Sequence, residues 1–197
     1  MTPQAESVLE LFRSTGAYLE GHFRLTSGLH SAQYLQCALV LQHPPAAERL
    51  GRWLAQELRT LAPGKIDLVA SPALGGLIIG HEVARSLGTR FLFTERDAAT
   101  GKMALRRGFT VAPGETAVVV EDVITTGGST ADVIDVLRAA GGNVLAAGSI
   151  VDRSGGRADV GVPRIALATL QVAAHHLQDC PLCARGIPLA KPGSRPT

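Results

Sequence analysis

Long apolar runs are missing from this sequence. No stretch of about 18 apolar residues occurs, so no membrane-spanning helix is expected. The opening residues, MTPQAESVLELFRS, have no basic segment followed by an apolar one. No signal peptide is therefore expected, and the expected location is cytoplasmic. Cysteine is scarce: three residues, an odd number, do not build a disulfide framework. Charge is also nearly balanced, with a formal net charge of +2. Charge alone thus implies no nucleic-acid partner and no membrane partner. Neither GxxxxGK(S/T) nor GxGxxG is present, which excludes a P-loop and a dinucleotide fingerprint. No internal repeat is found.

What is there is ample apolar content, 46% over 197 residues. That suits one domain with a single core. The stretch that organises the chain is VVVEDVITTGGST, residues 118–130. Three valines fit a strand covered on both faces. Two carboxylates, Glu121 and Asp122, stand where that strand should end. A loop of threonine, glycine and serine follows, and ADVIDVLRAA then has helical spacing. Such a loop offers free N–H groups at a helix N-terminus, where the dipole favours an anion. The glycines allow close approach and the hydroxyls add donors, which describes a phosphate cradle. The two acids cannot serve a phosphate. They suit sugar hydroxyls, or a Mg²⁺ that arrives with the ligand. A ligand with a phosphate at one end and a diol in the middle is a ribose phosphate.

Four apolar residues, two acids, a short apolar link and a T/G/S loop resemble the phosphoribosyl-pyrophosphate (PRPP) motif of type I phosphoribosyltransferases. The resemblance assigns Glu121, Asp122, Val123, Ile124, Thr125, Thr126, Gly127, Gly128, Ser129 and Thr130 to the 5′-phosphate and ribose. Further upstream, Phe23, Leu25, Ser27, Gly28, Ser31 and Tyr34 form the pattern F-x-L-x-S-G-x-x-S-x-x-Y. That pattern is similar to the N-terminal signature of orotate phosphoribosyltransferases. It implies that Ser27, Gly28 and Tyr34 contact the base, with Thr125 shared. The family commonly has a lysine where this chain has Thr26.

The chain between and beyond these motifs alternates strand and helix. Residues 3–16 read as an amphipathic helix, residues 44–61 as a long one opened by Pro44-Pro45. Residues 66–70 read as a buried strand that runs into SPALGG. By resemblance this second glycine loop holds pyrophosphate through Ala73, Leu74, Gly75 and Gly76, where many members have a lysine in place of Gly75. After a strand over 90–94 comes a long polar segment, 95–108. A loop of that length in a compact domain is usually functional. The resemblance makes it a lid shared across the subunits of a homodimer, with Arg96 and Lys102 on the leaving pyrophosphate. Arg106 and Arg107 read equally as a solvated strand edge. A strand over 144–151 ends in Asp152-Arg153, and the resemblance aims the Arg153 fork at a base carboxylate. Near the end, Cys180 and Cys183 form one CxxC, half a zinc site. His175 and His176, or a second subunit, would complete it; more often such a set is a surface turn.

The implied fold is α/β: a type I phosphoribosyltransferase fold, a parallel sheet flanked by helices with a small N-terminal hood. One domain covers 1–190, the hood 1–40, and 191–197 form a loose tail. The implied reaction joins orotate and PRPP into orotidine 5′-phosphate and pyrophosphate. Mg²⁺ is the cofactor, bound through PRPP, with no ion assigned directly to protein ligands. The resemblance implies that Asp122, Glu121, Lys102 and Arg96 carry the catalysis. A transferase for another base, purine or uracil, is the alternative, as is a PRPP-sensing regulator without catalysis. The resemblance predicts that Asp122→Asn lowers turnover far more than stability. Initial rates and melting curves on the same preparation test it, and unchanged turnover in a folded variant would contradict it.

Overall fold

The computed structural model describes residues 3–25, 28–170 and 173–191. Thr26 and Ser27, and residues 192–197 of the expected tail, lie outside the described residues. The apolar runs form strands β3 (Leu68–Pro72), β4 (Arg90–Arg96), β6 (Thr116–Ile124), β7 (Asn143–Asp152) and β8 (Arg164–Thr169). Together with the short β5 (Met103–Leu105) they make one six-stranded sheet, ordered β5-β4-β3-β6-β7-β8. All neighbours run parallel except β5, which is antiparallel to β4. The expected parallel sheet is therefore present, with one antiparallel edge.

Helices cover both faces, as a parallel sheet requires. On one face lie α1 (Pro3–Ser14), α2 (Cys37–Leu41), α3 (Pro44–Leu61) and α4 (Gly76–Leu87). Val8 and Phe12 of α1, Leu50 and Leu54 of α3 and Val83 of α4 pack there with Val118, Val120 and Ile150. On the other face, Val133, Ile134 and Leu137 of α5 (Gly128–Ala139) pack with Leu68, Leu92 and Val119. The valines of β6 thus alternate between two cores, as a strand's period of two dictates.

A second, three-stranded sheet stands apart from the first in hydrogen bonding. β1 (Tyr18–Arg24) and β2 (His30–Leu35) form an antiparallel hairpin, and β9 (Ala174–His175) adds to β2. The hood sheet is therefore built from both ends of the chain. Ala190 also pairs beside it: Arg24 N–H donates to the Ala190 carbonyl and Ala190 N–H to the His22 carbonyl, each at 2.8 Å.

The segment 95–108 is more ordered than its composition suggests. β4 continues to Arg96, a turn spans 97–102, and Met103–Leu105 return as β5. Asp97 organises the turn by accepting from the N–H groups of Ala99 (3.0 Å) and Thr100 (2.9 Å). Met103 is buried in the α5 core, an anchor that the polar residues around it conceal. Arg107 forks onto Glu95 at 2.7 and 2.8 Å, which fits the strand-edge reading.

No helix among the described residues is long and apolar enough to cross a membrane. Helices α3 and α4 pack closely at Gly51. A Cβ on Gly51 would meet Glu82 Cβ at 2.5 Å and its carbonyl carbon at 2.8 Å. The obstacle includes backbone, so the helices would have to part. Gly51→Ala is expected to cost about 1–3 kcal/mol, the usual penalty of overpacking, despite the better helix propensity of alanine. Urea unfolding checks this, and parental stability would rule out the close approach.

Candidate active site

In an open parallel sheet the loops after the strands gather at the carboxyl edge, and ligands bind there. β3, β6 and β7 are adjacent, so three of the sequence-predicted segments meet: 73–76, 121–130 and the turn after Asp152. Glu121 and Asp122 lie in the last turns of the β6 ladder rather than past its end. Neighbouring strand residues point to opposite faces. Glu121 accordingly turns toward α5, where the Thr130 hydroxyl donates to its Oε2. Asp122 turns toward the 73–76 loop, and a Cβ on Gly75 would lie 2.7 Å from its Oδ1. A side chain at position 75 would therefore have to displace the Asp122 carboxylate.

Both carboxyls are harder to ionise than usual. Burial pushes the Glu121 carboxyl up to about 7; the Thr130 hydroxyl and Arg96 pull against this, and Asp122 adds to it. Burial also raises Asp122, opposed by the Val123 N–H that donates to its Oδ1 at 2.9 Å.

After β6 the chain turns sharply into α5. Gly127 takes a left-handed φ of 85°, and a Cβ there would strike Val160 Cγ1 at 2.7 Å. Thr125, Thr126 and Gly128 are exposed at this helix start, Ser129 is half-buried, and Thr130 is buried. The result is a loop of N–H groups and hydroxyls at a helix N-terminus, with the Gly128 N–H reaching Thr126 Oγ1 at 3.5 Å. Ala73, Leu74 and Gly75 form the tight turn between β3 and α4, and Gly76 opens that helix. The Ala73–Leu74 peptide is cis, and Leu74 is 79% exposed.

Arg153 and Tyr34 come together from opposite ends of the chain. Tyr34, on β2, senses the charges of both Arg153 and Asp122, and burial raises its hydroxyl pKa. Arg153 is half-buried, and its guanidinium has no ion pair among the described residues. Burial lowers its pKa, opposed by Tyr34 and Cys37. Asp152 does not pair with it. That carboxylate accepts from Ser154 N–H (2.6 Å), Gly156 N–H (3.0 Å) and Arg164 Nη1 (2.8 Å), which builds the turn under Arg153. Gly28 is exposed at the tip between β1 and β2, with φ of 84°. Ser27 falls outside the described residues.

On the far side, Arg96 Nη2 reaches Asp132 on α5 at 3.0 Å, and its Nη1 donates to the Gly101 carbonyl at 3.1 Å. Lys102 is exposed in the turn, with no ion pair among the described residues. Three supporting residues escaped sequence reading. Asp132 looks like one more polar residue of a helix, Arg164 opens a strand, and Cys37 opens a short helix. Nothing in their local pattern signals a partner.

The comparisons agree with this geometry. A family model described as "Phosphoribosyl transferase domain" matches residues 38–173. The chain is 55% identical over 190 residues to an orotate phosphoribosyltransferase of Heliobacterium modesticaldum, covering 96% of this chain and 98% of that one. It is 50% identical over 188 residues to the orotate phosphoribosyltransferase of Thermotoga petrophila, covering 95% and 98%. A crystal structure of orotate phosphoribosyltransferase from Aeropyrum pernix superposes with a TM-score of 0.67 at 28% identity, covering 83% of this chain and 94% of that one. Fold and site together define a type I phosphoribosyltransferase. Within that class, the chain belongs to the orotate phosphoribosyltransferase family.

The raised Glu121 value has a signed consequence. Its folded value lies above the ordinary one, so the fold favours the protonated form. That contribution is complete below the ordinary carboxylate range and is lost as pH rises through about 7. Glu121→Gln should therefore gain stability relative to the parent between about pH 5 and about pH 8. Urea unfolding at both pH values measures it, and a pH-independent difference would refute the buried carboxyl.

Proposed function

We infer that this chain transfers the phosphoribosyl group of PRPP to orotate, giving orotidine 5′-phosphate and pyrophosphate in pyrimidine nucleotide synthesis. The observation that carries the orotate assignment is Arg153: a desolvated guanidinium beside Tyr34, with no carboxylate paired to it among the described residues. A planar fork of that kind matches the carboxylate of orotate. Uracil and the purines have no such group.

The same reading assigns the remaining roles. Amides and hydroxyls of 125–130 hold the 5′-phosphate at the α5 N-terminus. Amides of Ala73, Leu74, Gly75 and Gly76, with Arg96 and Lys102, hold the pyrophosphate. Glu121 and Asp122 accept from the ribose hydroxyls and stabilise the oxocarbenium-like charge as the bond to the leaving group loosens. Ser27, Gly28, Tyr34 and Thr125 frame the base, so that N1 attacks in place and water is kept out. The acid pair offers hard oxygen donors, which suit Mg²⁺. Because the two carboxylates turn to opposite faces, they do not chelate one ion between them, which fits an ion carried mainly by PRPP. Bound there, Mg²⁺ would neutralise charge on the leaving pyrophosphate.

The same reading makes the chain one catalytic domain over 1–190, with residues 1–40 contributing to the base site and 191–197 as a tail. It makes the active form a homodimer in which the 95–108 hairpin serves the neighbouring subunit. It also assigns the enzyme to the cytoplasm, a compartment that keeps thiols such as the buried Cys37 reduced.

Orotate absorbance followed with Mg²⁺, with and without PRPP, tests the assignment. PRPP-dependent loss is expected. Pyrophosphate released with uracil or a purine instead would move the specificity, and PRPP binding with no turnover on any base would make the chain a regulator. Arg153→Ala should raise the KM for orotate by about 10–100-fold, since hydrogen bonds to charged groups are worth about 1.5–3 kcal/mol. The KM for PRPP should change little. An unchanged orotate KM would remove Arg153 from the base site.

A further inference from the structure

The two C-terminal cysteines have partners that their sequence neighbours do not reveal. His176 is exposed, and His175 pairs through its backbone with His30 in the hood sheet. Cys180 and Cys183 face instead His22 on β1 and His30 on β2. His22, His30 and Cys180 are each 3% exposed. One donor atom from each of the four residues lies within 4.8 Å of every other.

The individual distances describe a small polyhedron. His22 Nε2 is 2.9 Å from His30 Nδ1, 3.6 Å from Cys180 Sγ and 3.7 Å from Cys183 Sγ, and Cys183 Sγ is 3.3 Å from His30 Nδ1. A tetrahedron with Zn–N of about 2.0–2.1 Å and Zn–S of about 2.3 Å has N···N edges of about 3.3 Å and S···N edges of about 3.5 Å. The observed edges lie within a few tenths of an ångström of these.

Hydrogen bonding alone does not account for the arrangement. The Ile187 carbonyl can only accept, so at 2.8 Å it takes the proton of His22 Nδ1. In neutral imidazole that leaves Nε2 with one lone pair and no proton. Three groups crowd that lone pair: an imidazole nitrogen and two thiols. One cation at the centre would satisfy all four at once. The carbonyl contact also fixes the tautomer and ring orientation, as outer partners of metal-bound histidines do. Two thiolates and two neutral imidazoles around a divalent ion sum to zero charge, the condition for burial without a counter-ion.

We propose that His22 Nε2, His30 Nδ1, Cys180 Sγ and Cys183 Sγ bind a structural zinc ion. Two nitrogens and two sulfurs select Zn²⁺ over the oxygen-seeking Mg²⁺. Four protein ligands leave no open position, so the site is structural. Binding releases the two thiol protons. The ion ties the C-terminal segment across both strands of the hood. It spans the Leu25–Leu29 turn, whose ends are joined by the Leu25 N–H to Leu29 carbonyl bond at 2.8 Å. The site is independent of the reaction assigned above, and either stands if the other fails.

Elemental analysis of the full chain, purified without chelator, should find about one zinc per chain. Cys183→Ser and His30→Ala should each lose nearly all of it, and His176→Ala should keep it. Should the variants fold poorly, the unaltered chain still decides. After metal removal it should take up about one Co²⁺ per chain, with the intense visible bands and thiolate charge transfer of a tetrahedral site. Absence of zinc after incubation with zinc sulfate would overturn the proposal. So would full zinc retention in Cys183→Ser, or a Cys180–Cys183 disulfide in the intact mass.

Discussion

A strand packed on both faces can carry charge only at its ends. β6 is fully buried from Ala117 to Val120, with its valines shared between two cores. Its charges emerge at the carboxyl edge as Glu121 and Asp122. The parallel order β3-β6-β7 then sets the loops of the neighbouring strands beside them. The helices dock in the same arrangement, so α4 and α5 both begin at this edge. The glycine loops, the carboxylates and the Arg153 turn share one place because the core of β6 leaves no other.

Ions in this chain divide by whether the fold completes them. Arg90 pairs with Glu115, Arg107 with Glu95, Lys65 with Asp67, and Arg164 with the buried Asp152. These carboxylates all sit below their ordinary pKa values. At the β6 edge the pattern reverses. Glu121 and Asp122 are desolvated and raised, and Arg153 is desolvated with no carboxylate paired to it among the described residues. Buried charge without a partner costs free energy that the rest of the core must offset. A ligand with hydroxyls for the acids and a carboxylate for the arginine would recover part of that cost on binding.

The hood depends on a different economy. Its hairpin is short, and an isolated pair of strands is marginal in water. β9 adds a third strand from the far end of the chain, and Ala190 bonds to both His22 and Arg24. The two buried imidazoles beneath are held by partners up to 165 residues away. The hairpin is thus tied to a segment far along the chain.

The sequence alone determined the elements with strong local periodicity and the motifs that are contiguous. The β6–α5 strand, glycine loop and helix could be read because strand, acids, loop and helix follow one another in the chain. The 44–61 helix and the buried strands were legible for the same reason. Tertiary structure decided the rest. That Asp152 serves Arg164 rather than Arg153 depends on β8 pairing with β7. That 97–102 is a hairpin turn depends on Met103 finding the α5 core. The cysteines belong with His22 and His30 rather than His175 and His176, because β9 turns His175 into a backbone partner and seats the CxxC helix against a hairpin 158 residues earlier. Local spacing encodes which groups a segment offers, and only packing decides which distant groups they meet.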